Sequence, residues 1–175
     1  VVWNGCAWSV KTVKSARPYE QLTVRLISGR CSPDYSLGIT DPHANPDNTG
    51  RAVLSIWNAR VNEALDQHDD LRIVVMIRNM ETREYRIFEE EAQRFTPTDY
   101  RWEFNPRGNL EGYDRISGDH RFTWQPHGSQ FTIIRHVPAS ARRFSIDHNV
   151  PIVSAEAVLK GINFDPQWIT VYGQD

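Results

Sequence analysis

Between residues 100 and 143 the chain gathers seven arginines against four acidic residues, a local charge of +3. Thirteen basic and eighteen acidic residues elsewhere leave the remainder at -5. The same window holds three of the six histidines, a run of aromatics, and the amides Asn105, Asn109, Gln125 and Gln130. Guanidinium groups pair bidentately with phosphate or guanine, and side-chain amides with adenine. A basic, amide-rich window inside an acidic chain has the composition of a nucleic-acid-facing surface. The expected DNA contacts are Arg101, Asn105, Arg107, Asn109, Arg121, Gln125, His127, Ser129, Gln130 and Arg135. In the competing reading the aromatics are core and the arginines only solvate strand edges.

A second constellation is FSIDHNVPIV at 144–153. Asp147-His148 with Pro151 resembles the DH-x-x-P element of HNH-type nucleases, which implies His148 as general base and Asp147 in a metal shell. Asn163 stands at a tolerable distance, but no His or Asn follows it, and zinc-binding Cys pairs are absent. The blander reading is a turn at a strand end. A third cluster, FEEEAQ at 88–93 with Glu63, Asp69 and Asp70 upstream, places carboxylates where a nuclease would hold Mg²⁺. Such sites also use a lysine, and none occurs between Lys14 and Lys160. A solvated acidic strand edge is the better reading. No phosphate loop, nucleophile elbow or HExxH motif is present.

The elements that position these residues are mostly strands. WSVKTVK (8–14) and QLTVRLIS (21–28) alternate with period two and are separated by a turn-like SARPYE. Residues 29–50, dense in Gly, Pro, Asp and Asn, read as one long loop. For 51–67 the first half fits a buried strand, but NARVNEALDQ favours a helix. That helix would be capped by Asn48 or Thr49, with Val53, Trp57, Val61, Ala64 and Leu65 on one face. LRIVVMIRN (71–79) is the clearest strand and forms a hairpin with EYRIFEEEAQRF. DYRWEFN (99–105) ends in the turn PRGN, HRFTWQ (120–125) and QFTIIRHV (130–137) flank PHGS, and RRFSI (142–146) follows. SAEAVLKG (154–161) reads as a short helix and QWITVYG as a closing strand. The pattern predicts a mainly β fold with two helices, as a β-barrel or as a mixed α+β sheet.

At 175 residues the chain is expected to be a single domain, 1–175. No apolar run approaches the roughly 20 residues of a membrane helix, so no membrane partner is expected. VVWNGCAWSV lacks the basic start and apolar stretch of a signal peptide, which points to the cytoplasm. Cys6 and Cys31 could form one disulfide, though free thiols suit that compartment better. A start at Val rather than Met reads as a module cut from a larger protein.

NPDNTGRAVLSIW (45–57), followed by strands and a polar hairpin, resembles the DNA-recognition domains of type II restriction endonucleases. WSVKTVKSA would be a first barrel strand under that resemblance. It implies a B3-like fold, an open barrel of seven strands with two short helices that grips the major groove with two arms. It also implies sequence-specific binding of double-stranded DNA without catalysis or cofactor here, and a separate nuclease domain as partner. The family's Gly-rich first arm has no counterpart in SARPYEQ. Mg²⁺ enters only with the nuclease alternative at Asp147, His148 and Asn163; a non-catalytic protein-interaction domain is the third reading.

Overall fold

In the computed structural model, residues 1–15, 21–27, 31–79, 82–146 and 169–172 are described. The apolar alternation read from the sequence becomes two sheets. The first has six strands in the order β1-β2-β4-β5-β10-β11: β1 (Val2–Trp3), β2 (Cys6–Ser15), β4 (Asp70–Asn79), β5 (Glu84–Glu91), β10 (Arg142–Ile146) and β11 (Ile169–Tyr172). The second has five in the order β3-β9-β8-β7-β6, with β3 (Gln21–Ile27), β6 (Tyr100–Phe104), β7 (Leu110–Asp114), β8 (His120–Gln125) and β9 (Gln130–His136). Among the described residues the pairings form two open sheets, not a closed barrel. The fold is a sheet-rich mixture of α and β.

The first two long strands, separated in the sequence by the turn-like SARPYE, do not pair with each other. β2 and β3 lie in different sheets, and β2 instead runs parallel to β4, with Cys6 opposite Asp70 and Ser15 opposite Asn79. A parallel neighbour needs a long crossover, and the segment read as loop supplies part of it. That segment contains a five-residue helix, α1 (Pro33–Leu37), and the start of α2 (Pro46–Gln67). The cap of α2 is Asn45, not Asn48 or Thr49: its Oδ1 accepts the Asn48 N–H at 3.0 Å, and Pro46 occupies the first turn, where its missing N–H costs nothing. Of the helical face expected from the sequence, Val53, Trp57 and Val61 are buried and Ala64 and Leu65 half-buried, while Leu54, outside that expectation, is buried as well. Strands β1 and β7 had no counterpart in the sequence reading. The helix expected at 154–161 lies outside the described residues.

One continuous core joins α2 to Ile73, Val75, Ile77 and Phe88 of the first sheet and to Val24, Leu110, Trp124 and Ile133 of the second. Phe122 is its aromatic hub, with ring centroids 4.8 Å from Tyr100, 4.9 Å from Phe95 and 5.4 Å from Phe131. The aromatics of the basic window are therefore largely core, as the competing reading held. The Trp102 indole leaves no room beside it. A Cβ on Gly50 would lie 2.0 Å from its ring, and one on Gly112 2.7 Å. Asp47, in the first turn of α2, ties the helix to the sheet edge by accepting the Trp102 N–H at 2.9 Å and pairing with Arg115 at 3.2 Å. Both cysteines are free thiols, and burial pushes that of Cys31 up to about 11.

Candidate nucleic-acid interface

Residues two apart on a strand share a face. The face of the five-stranded sheet turned away from the core carries one cross-strand row: Arg25 opposite Thr132, Thr132 opposite Thr123, Thr123 opposite Glu111, and Glu111 opposite Glu103. The row is basic at β3 and acidic at β6. At the acidic end the charges are already satisfied. Arg101 pairs with Glu103 at 2.7 Å and its guanidinium stacks 4.4 Å over the Tyr113 ring. Glu111 accepts from the Tyr113 hydroxyl and from Asn105 Nδ2, both at 2.7 Å. Burial raises the Glu111 carboxyl, but those two hydrogen bonds outweigh it and leave the group below the ordinary carboxylate range. The same bond, first among the causes, pushes the Tyr113 phenol up to about 12.

At the basic end the sheet meets β2 and a groove of about 680 Å³ opens between them. Its β2 wall is the consecutive run Val10 to Lys14, so the strand is presented along its edge, not by one face. Among the described residues that edge is unpaired from Val10 onward, since β1 pairs only with Cys6 and Ala7 and Val1 bonds Trp8. The floor is Thr23 and Arg25 of β3, Thr123 and Gln125 of β8, and Gln130 and Thr132 of β9. Among the described residues three cations line the groove and no acid does. The Lys11 ammonium donates to the Leu26 carbonyl at 3.4 Å. Burial holds Lys11 below the ordinary lysine range, and Arg25 and then Arg60 add to that.

The ten expected contacts divide between these two ends and the turns. Gln125 and Gln130 face each other across the hairpin neck and line the groove. His127 is exposed at the tip, where Ser129 (φ 45°), not Gly128, takes the left-handed conformation and donates its N–H to the Pro126 carbonyl at 3.1 Å. Arg107 is exposed on the other turn at the same end of the sheet. Asn105 shapes that turn: its Oδ1 accepts the Arg107 and Asn109 N–H groups at 2.9 and 3.0 Å, while Gly108 supplies the left-handed residue at φ 73°. Asn105 and Asn109 thus build the turn, and Arg101 is held by its partners.

Arg135 forms an ion pair with Glu90 of β5 and joins the two sheets. Arg121 is the extra residue of a bulge in β8, its Nε buried without a partner among the described residues. The bulge sets His120 beside Tyr113, on whose ring it stacks at 5.0 Å, with its Nε2 2.8 Å from the Phe122 carbonyl and 3.2 Å from the Thr123 hydroxyl.

Lys11, Lys14 and Arg25 were missed by sequence reasoning. Their signal was present, since the only two lysines before residue 160 share one strand, but their meaning depends on which sheet β2 joins. Within the acidic cluster, Glu89 pairs with Arg72 at 3.4 Å and Glu90 with Arg135. Among the described residues no group of three or more His, Cys, Asp or Glu side chains could hold a metal ion. Asp147, His148 and Asn163 lie outside the described residues.

Fold and groove together define a two-sheet α+β protein with a basic cleft beside a polar hairpin. No family model, curated protein or solved structure matches this chain. No helix among the described residues is long and apolar enough to cross a membrane.

Proposed function

We propose that this chain binds double-stranded DNA sequence-specifically, as the recognition module of a restriction-type nuclease whose catalytic domain is a separate unit. The observation that carries the reading is the groove itself: Lys11, Lys14 and Arg25 line it together with Gln125 and Gln130, and no acid stands among its described lining residues. Cations held near one another without a counter-charge lower their mutual repulsion by taking up an anion, and a phosphate backbone supplies a row of them. Arg107 and His127 extend the contact. Their turns leave the same end of the sheet two strand spacings apart, about 10 Å. The turns would serve as the two arms expected of a B3-like module, although the sheets are open. Selection of bound sequences from random duplexes tests the reading. A converged motif supports it, and recovery of no duplex above background overturns it.

A second reading rests on the open edge of β2. A peptide strand could pair with Val10–Lys14, as exposed edges do in β-augmentation, making this a protein-interaction domain. Lysines on an edge ordinarily discourage such pairing, and Lys11 and Lys14 stand on this one. The duplex reading accounts for them directly.

A further inference from the structure

The groove joins its cations to a particular set of uncharged side chains, and their chemistry narrows what it can read. We infer that the site selects A·T base pairs, an inference that rests on the duplex-binding reading. Gln125 and Gln130 are cross-strand partners, and both line the groove. A glutamine amide donates and accepts side by side, which matches the N6 and N7 edge of adenine in the major groove and not the two acceptors of guanine. The threonines complete the set. The Thr132 hydroxyl donates to the Thr123 carbonyl at 3.2 Å, and the Thr123 hydroxyl is bonded to His120 at 3.2 Å. Thr123 lines the groove and carries a methyl group beside its hydroxyl. Val10 and Val13 add apolar surface on the facing wall. Methyl groups next to adenine-reading amides suit the C5-methyl of thymine, which only an A·T pair presents.

The test measures binding of the whole chain to three duplexes of equal length: alternating A·T, alternating G·C, and A·U, in which uracil replaces every thymine and only the methyl is lost. The A·T duplex is expected to bind at least roughly tenfold tighter than G·C. Uracil should weaken binding roughly fourfold, the value of one buried methyl-sized group. Thr123→Ser keeps the hydroxyl and removes the methyl, so it should abolish most of the difference between thymine and uracil while binding A·U like the parent. Equal binding of all three duplexes overturns the A·T assignment and leaves duplex binding standing. Binding of none overturns both. A·T preference with no response to uracil overturns the methyl contact and confines the selection to Gln125 and Gln130.

Discussion

Arg25 stands beside Lys11 at the groove, near enough that its guanidinium disfavours the lysine's charge. Neither residue pairs with a carboxylate within the groove lining. By contrast Arg101 and Arg135, which looked equivalent in the sequence, are each paired with a glutamate. A cation already neutralised has less to gain from phosphate. In the proposed reading Arg25 meets phosphate, while Arg101 and Arg135 hold the fold.

Replacing Lys14 or Arg25 by Ala should weaken binding to every duplex alike. Each change should lower the slope of log K against log salt by about 1, one released counterion per lost contact. Titration at four or five salt concentrations reads this directly. Arg101→Ala should leave that slope unchanged.

Lys11 should trade stability for binding. Its pKa is depressed in the folded chain, so the folded state resists protonation more than the unfolded state does. The stability associated with neutral Lys11 is full above the ordinary lysine pKa and is lost as pH falls through the depressed folded value. Near neutral pH Lys11→Met should then melt at a higher temperature than the parent while binding DNA more weakly. The advantage in melting temperature should shrink as pH rises toward the ordinary lysine range. Scanning calorimetry across pH, beside one binding titration, gives both halves.

Gly50→Ala should destabilise the fold although Ala is the better helix former. The helix gains about 1 kcal/mol from the change. The new Cβ, however, meets the buried Trp102 ring at 2.0 Å, and overpacking of this kind costs typically about 1–3 kcal/mol and sometimes more. Trp102 cannot swing clear, because Phe122 stacks on it at 5.8 Å. Urea unfolding should give a lower midpoint.

Arg135→Ala should lose about 1.5–3 kcal/mol of stability, the range for a hydrogen bond to a charged group, because Glu90 is left partly buried without its partner. Arg135→Ala with Glu90→Gln should recover part of the loss. Binding to DNA, measured well below the melting temperature, should be unchanged.

The strands and α2 were legible because their signals are local: alternation in 71–79, and helix formers with one apolar face in 51–67. Strand β7 was not, since Gly112 has no side chain to mark the buried face and is present to admit Trp102. The site was half legible. Gln125 and Gln130 could be read from the hairpin around PHGS. Lys11, Lys14 and Arg25 join them only because β2 pairs with β4 across a crossover, a non-local fact that no window of sequence contains. The ion pairs that withdraw Arg101 and Arg135 have the same origin for Arg135, whose partner lies 45 residues away. For Arg101 the partner is Glu103, two residues on and on the same face, so alternation could have disclosed it.

The central claim is that the groove cations bind duplex phosphates. The most direct measurement compares the parent chain with the triple variant Lys11→Ala, Lys14→Ala, Arg25→Ala in anisotropy titrations on one duplex pool across salt. Three phosphate contacts correspond to a slope of about -2.7 in log K against log salt. The parent should be at least that steep, and the triple variant, measured below its own melting temperature, should be shallower by about that amount. A parent whose affinity ignores salt, or a folded triple variant with the parent's slope, would contradict the account.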